Sequence, residues 1–290
     1  MSSSQKKELD RKKLFADPFL ITVIAGIFLF LFLFILYPLS ILLVDSMYVD
    51  NRFTLDVFFR ILSMHSFKTA ITNTLFLGLI TGIAATLIGF LFAYVDAYVN
   101  TGSKAVKGLF NAVSILPVVS PPFVLSLSAI LLFGRTGIVT RGWLNLNSTG
   151  LYGLPGIALV QTLTFFPVCY LMLKGLLKNI DPSLEEAARN MGASRWHVFK
   201  TVTLPLLLPG LGNAFLITFI ESVADFANPM IIGGNYDTLA TSIYLQLTGA
   251  YDKSGAAAMA VVLLTISMGL FLMEKYYLER KSVATLTGKA

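Results

Sequence analysis

The sequence predicts an all-α polytopic membrane protein with six transmembrane helices, and three observations carry that prediction. Hydrophobic residues make up 56% of the chain and charged residues 13%, with a mean hydropathy of +0.75, so there is too little polar surface to cover a water-soluble core. Six runs approach the roughly 20 apolar residues that a helix needs to cross a bilayer: Phe19–Leu43, Thr69–Val95, Leu109–Phe133, Leu151–Leu173, Leu206–Ile232 and Ala256–Tyr277. The 22 Lys and Arg residues divide unevenly between the two sets of connections. One set holds only Arg52, Arg60, Lys68, Arg135, Arg141 and Lys253; all the others lie at the termini, at Lys104 and Lys107, and between the fourth and fifth spans. The positive-inside rule places both termini and the fourth connection in the cytoplasm. The net charge of +6 follows from that asymmetry and calls for no nucleic-acid partner.

Taken in order, residues 1–18 are a polar, basic cytoplasmic lead, suited to the anionic membrane leaflet. A transmembrane domain is expected over 19–280, with a cytoplasmic tail at 281–290. The first span is too long for a signal peptide and lacks a small-residue cleavage site, so it reads as an anchor at the periphery of the bundle. The connection after it predicts a short interfacial helix. His65 has no second ligand at useful spacing and reads as surface. The second span carries Gly78 and Gly82 in a GxxxG pattern, then Ala84, Ala85 and Gly89; small residues let helices approach closely in lipid, so this helix belongs in the interior.

Pro117, Pro121 and Pro122 break or kink the third span by removing backbone donors. Freed carbonyls at membrane depth need protein or a water-filled cavity to receive them. Two readings remain: a helix lining a pathway, or a kinked packing helix. The fourth span holds Pro167, another expected kink, and Cys169, read as a packing thiol.

The stretch from Asp181 to Pro209 is too polar to span and too well patterned to be slack. Asp181 offers an N-cap with Pro182 at the first helical position, and Ser183 with Glu186 offers a capping box. Leu184, Ala187, Ala188 and Met191 share one helical face; Glu185, Arg189 and Asn190 share the other. Gly192 ends the helix, Ser194 caps a second short one through Lys200, and Pro205 and Pro209 are expected to bar a continuous helix until the next apolar run. Pattern alone leaves open a lid lying on the membrane surface.

In the fifth span Thr218, Glu221, Asp225 and Asn228 are spaced three, four and three apart, which on one helix puts them on one face. Two carboxylates turned to lipid would cost about 5–7 kcal/mol, so the stripe must face protein or water. It is either a structural carboxylate set paired with a helix end or hydroxyl, or the polar wall of a conduit in which the two acids raise each other's pKa. The Gly233–Gly255 connection has helical apolar spacing at Leu239, Ile243 and Leu247, fit for an outer gate, a docking surface or a cover over the pore mouth. The chain has no GxxxxGK[ST] phosphate loop, GxSxG, HExxH or cysteine pair. It is expected to be no enzyme by itself, with no metal and no cofactor of its own.

Glu186-Ala187-Ala188, Gly192 four residues on, then Val202, Leu204 and Pro205 resemble the cytoplasmic EAA loop of ABC importer permeases. That resemblance implies a type I, methionine-importer-like permease fold with a coupling hairpin at 181–205 between helices 4 and 5. It also implies a separate ABC ATPase subunit that binds the ATP. Glu186 would anchor the hairpin there, Ala187 and Ala188 would complete the motif, and Gly192 would allow the turn and a close backbone approach. Leu184, Ala188, Trp196 and Phe199 would give apolar contact. Glu221 to Pro229 and Ile232 to Tyr244 look like the ferric-iron branch of these permeases, so ferric ion is the expected substrate. Phosphonate, sugar-phosphate, thiamine and polyamine importers share near-identical segments. Thr218, Glu221, Asp225 and Asn228, with Pro117, Pro121 and Pro122, are then the expected pathway residues.

Many ferric permeases are double-length chains, and this one resembles one half. A second permease subunit, homologous or identical, is expected to complete the pore in a bacterial inner membrane, served by an extracytoplasmic substrate-binding protein. Readings of other classes are a secondary carrier or channel that couples protons or cations through Glu221 and Asp225, and a scaffold that recruits a cytoplasmic protein through the hairpin.

Overall fold

The computed structural model describes residues 18–49, 52–99, 102–121, 123–146, 150–273 and 275–276. Residues 1–17 of the N-terminal lead, the 281–290 tail and Pro122 lie outside the described residues. The elements are α1 (Pro18–Met47), a two-stranded antiparallel ribbon of β1 (Tyr48–Val49) and β2 (Arg52–Phe53), α2 (Asp56–Ser63), α3 (His65–Tyr98), α4 (Lys104–Val119) and α5 (Val124–Phe133). They continue with α6 (Leu154–Asn179), α7 (Pro182–Asn190), α8 (Arg195–Ala224), α9 (Ala227–Ile232), α10 (Leu239–Thr248) and α11 (Lys253–Met273). Six helical segments among the described residues are long and apolar enough to cross a membrane: α1, α3, α6, α8, α11 and the stretch Val124–Trp143 that α5 opens.

The bundle is built on α3, α6 and α8, and glycines set how closely they meet. A Cβ on Gly78 would lie 3.2 Å from Phe219 and Val223, and one on Gly82 would lie 2.9 Å from Phe215, both on α8. On Gly89 it would lie 2.5 Å from the Cys169 Cβ on α6. The expected small-residue stripe thus faces two neighbours at once. Where it does, Ala85, Ala93, Phe166, Cys169, Tyr170, Leu173, Leu207 and Ala214 form one core. In water such packing would be driven by dehydration; in lipid, close van der Waals contact replaces that term. A second core lies toward the start of α3, where Val57, Ile61 and Phe67 meet Leu239, Ala258 and Met259. None of Pro18–Leu31 in α1 is buried, in keeping with a peripheral helix.

Two expectations about the helices are corrected, and a third is met. The third run breaks where its prolines predicted a break or kink: it divides into α4 and α5, with extended backbone at Ser120 and Val124 N–H donating to the Pro121 carbonyl. Pro117 sits inside α4, and Pro121 supplies no donor to continue it. The fifth run ends at Ala224, because Asp225 takes an extended conformation, ψ 121°. Thr218, Glu221, Asp225 and Asn228 therefore do not share one helix. Conversely, Pro205 and Pro209 do not interrupt α8. Its stretch Phe199–Thr203 is π-helical, and Leu204 N–H donates to the Phe199 carbonyl five residues back. That register shift takes up the bonding that Pro205 cannot supply, as π segments often do in long helices.

Candidate functional site

The α7–α8 hairpin is written in local chemistry, and the structure follows most of it. The Asp181 carboxylate accepts from Ser183 N–H at 3.0 Å, and Ser194 Oγ accepts from His197 N–H at 3.3 Å. Asp181 is the N-cap, so the expected Ser183–Glu186 box does not form. At the other end Gly192 N–H donates to Arg189 and Ala193 N–H to Ala188, with Gly192 at φ +89°. This is the paired closure that favours glycine at the left-handed position after a helix. A Cβ there would meet nothing within 4 Å, so the turn, and no close approach within this chain, requires glycine.

One residue of the polar face of α7 turns inward: Glu185 is half-buried, while Arg189 and Asn190 are exposed. The Glu185 side chain is 13% exposed; its Oε1 accepts from Tyr98 OH on α3 at 2.6 Å and from Thr203 Oγ1 on α8 at 2.7 Å. Oε2 lies 3.6 Å from Arg189 one turn on. The apolar face turns outward: Leu184 is 48% exposed and Met191 83%, and no residue of α7 is buried. Glu186 and Ala187 are exposed, Ala188 half-buried, and Glu186 makes no hydrogen bond or ion pair among the described residues. Trp196 is 64% exposed, stacked on Phe199 with Lys200 over its ring. Phe199 is half-buried and wedges between Trp196 and Phe90 and Tyr94 of α3. A cleft of about 270 Å³ opens behind α7 between Tyr94, Tyr98, Glu185, Arg195 and Thr203.

The second polar constellation lies in the spans, where α8 breaks. Gln161 on α6 is fully buried and reaches both sides of the break. Its amide nitrogen donates to the Asp225 carboxylate at 2.8 Å, while its oxygen accepts from Ser222 Oγ at 2.6 Å and Thr81 Oγ1 at 3.0 Å. The Asp225 carboxylate accepts from Ala227 N–H at the start of α9 at 3.0 Å and from Asn228 Nδ2 at 2.8 Å. Asn228 Oδ1 in turn accepts from Ser126 Oγ on α5 at 2.7 Å. Five elements are thus tied where α8 stops, and the backbone groups freed by the break sit in protein. Thr218 is fully buried against Cys169 Sγ, 2.9 Å away. Glu221 stands apart from Asp225: its Oε2 is buried and has no hydrogen-bond partner among the described residues. Pro117 is half-buried and Pro121 exposed.

The model of the family described as binding-protein-dependent transport system inner membrane component matches residues 85–282, which include both constellations except Thr81. The chain belongs to that family. Among curated relatives, the ferric transport system permease protein FbpB of Actinobacillus pleuropneumoniae is 36% identical over 96% of this chain and 41% of its own length. FbpB 1 of Haemophilus influenzae is 37% identical over 94% of this chain and 44% of its own. The chain therefore spans less than half the length of these two relatives. Among solved structures, a chain of a bacterial alginate ABC transporter in complex with its periplasmic protein superposes with a TM-score of 0.80 at 18% identity, over 93% of this chain and 97% of that one. A chain of the inward-facing MetNI methionine transporter gives 0.57 at 22% identity, over 74% and 94%. The permease is a multi-pass membrane protein with the type I ABC importer permease fold, the methionine-importer-like fold that the EAA resemblance implied.

Within this family member the structure brings Leu184, Ala187, Ala188 and Glu186 onto one exposed hairpin with Gly192 and Trp196. It gathers Asp225 and Asn228 into one network, apart from Thr218. Sequence reading missed Glu185, Tyr98 and Thr203, and it missed Gln161. A glutamine in the middle of an apolar run is itself a signal, since a buried amide at membrane depth needs partners on neighbouring helices.

Proposed function

We propose that this permease is the transmembrane subunit of an ATP-driven importer in a bacterial inner membrane. It forms half of the translocation pathway and seats its 181–205 hairpin in a separate ABC ATPase. The observation that carries the reading is the outward apolar face of α7, Leu184 and Met191 beside Trp196, with Glu186 free at its rim. A helix held to the bundle through Glu185, with its apolar face exposed, fits a partner that covers that face, with a charge-assisted bond to Glu186. Both termini and the hairpin then lie in the cytoplasm, the transmembrane domain runs over 19–280, and a second permease subunit and an extracytoplasmic binding protein complete the assembly. ATP binding elsewhere in that assembly would draw two hairpins together and rock the bundle between two states.

Ferric iron is the proposed substrate, on the strength of the similarity to the two FbpB proteins. Asp225, Asn228, Glu221 and Thr218 would stand along the pathway with the Pro117–Pro121–Pro122 break.

The test is purification from native membranes through a tag on this chain. An ATPase is expected to co-purify, and Glu186→Arg or Gly192→Asp to abolish its recovery while the spans remain inserted. Uptake of radiolabelled ferric iron should depend on ATP and stop in both variants. Uptake that persists with no ATPase recovered would instead favour a carrier working through Glu221 and Asp225.

A further inference from the structure

We infer that Glu185, and not the neighbouring glutamate of the EAA motif, is the positioning residue that passes hairpin movement into the transmembrane bundle; the inference rests on the ATPase-coupled reading above. Burial and hydrogen bonding carry it. No side chain of α7 is buried, so apolar packing gives this helix little purchase on the rest of the chain. What it has is one carboxylate, 13% exposed, whose Oε1 takes the Tyr98 hydroxyl at 2.6 Å and the Thr203 hydroxyl at 2.7 Å. Tyr98 is the last residue of α3 and Thr203 the last of the π-helical stretch in α8. One oxygen therefore joins α7 to two core helices. Charge-assisted bonds of this length are short and directional, and moving α7 without α3 and α8 would strip a carboxylate only 13% exposed of both donors.

The last turn of α3 carries a second junction. Asp96, two residues before Tyr98, has a side chain 2% exposed and pairs with Lys174 of α6 at 2.9 Å. Lys174 also donates to Asn111 Oδ1 of α4 at 3.1 Å and to Tyr170 OH at 2.9 Å, and Tyr170 OH donates to the same Asn111 oxygen at 2.8 Å. Few residues fasten α4 to the bundle: Ser114 is its one buried residue, with Phe110 stacked on Phe92. Displacement taken up at Tyr98 thus reaches α4, the first half of the proline-broken third span, through Asp96, Lys174 and Asn111. A buried pair of this kind holds elements in register more than it stabilises them.

The experiment uses the complex purified through a tag on this chain and reconstituted in liposomes. It reads three quantities: ATPase subunit retained, substrate-stimulated ATP hydrolysis, and the nucleotide-dependent distance change between spin labels on α7 and α4. In Glu185→Leu the ATPase should be retained as in the wild type, stimulated hydrolysis should fall about tenfold or more, and the α4 distance change should be lost. Glu185→Gln keeps an oxygen that accepts both hydroxyls and should restore all three readouts to within about twofold. The Tyr98→Phe, Thr203→Val double variant, which leaves Glu185 in place, should behave as Glu185→Leu does. Wild-type stimulation in Glu185→Leu would overturn the inference; so would loss of the ATPase itself, which makes Glu185 a docking residue, and failure of Glu185→Gln, which assigns the effect to the Arg189 pair. A wild-type chain that retains no ATPase at all would overturn the underlying reading instead.

Discussion

The side-chain amide of Gln161 donates to the Asp225 carboxylate at 2.8 Å, across the gap between the end of α8 and the start of α9. The same side chain accepts from Ser222 and Thr81, so one residue on α6 satisfies groups on three other segments. Gln161→Leu keeps the volume and removes every one of those bonds. Each buried polar group left without a partner costs about 1–3 kcal/mol. The variant should therefore lower the melting temperature of the detergent-solubilised protein by several degrees, whereas the exposed substitution Gly26→Ala should not. An unchanged melting temperature would mean that the network holds nothing in place.

Close approach of α3 to α6 makes Gly89 the most demanding glycine of the α3 stripe. An added Cβ would lie 2.5 Å from the Cys169 Cβ and 2.8 Å from the Tyr170 nitrogen. Both obstacles are near the backbone and cannot swing aside. Gly89→Ala should cost about 1–3 kcal/mol through overpacking, read as a lower yield of monodisperse protein on size exclusion. Gly175→Ala, where nothing lies within 4 Å, is the matched control on α6 and should match the wild type.

Gly192 differs in kind, since its space is open but its φ is +89°. Gly192→Ala should destabilise the hairpin by about 1–2 kcal/mol through the left-handed backbone alone. Gly192→Asn should cost less, because asparagine tolerates that region. Limited proteolysis between 190 and 195 is the direct readout, with cleavage fastest for alanine.

Outside the spans, Asp252 gives a prediction in pH. Burial works to raise its carboxyl, but Gly255 N–H, the Gln246 amide and the Arg60 guanidinium at 2.7 Å outweigh that and hold it below the ordinary 3.8. A depressed carboxyl contributes stability that is fully present above the unfolded value and is lost as the pH falls through the folded one. The difference in melting temperature between wild type and Asp252→Asn should therefore be constant at neutral pH and shrink below about 3.8. The effect should be small and salt-sensitive, because Arg60 is 51% exposed. A difference that grew on acidification would contradict the assignment.

What the sequence by itself determined was whatever depends on neighbours a few residues away. Six apolar runs, the Asp181 and Ser194 caps, the glycine closure after α7 and the small-residue stripe of α3 follow from period, capping chemistry and side-chain size. The EAA spacing placed the chain in its family before any contact was known. What only the tertiary structure decided depends on partners far along the chain. Glu185 and Glu186 are adjacent and chemically identical, and only Tyr98, 87 residues away, marks which of them turns inward. No proline or glycine announces the end of α8 at Asp225; a side chain 64 residues back receives the carboxylate there and makes extended backbone tolerable at that depth. Pro205, which reads locally as a stop, is carried inside α8 because a π-helical stretch shifts the bonding register before it. Backbone hydrogen bonds must be satisfied in lipid, and which distant group satisfies them is a property of the packed bundle.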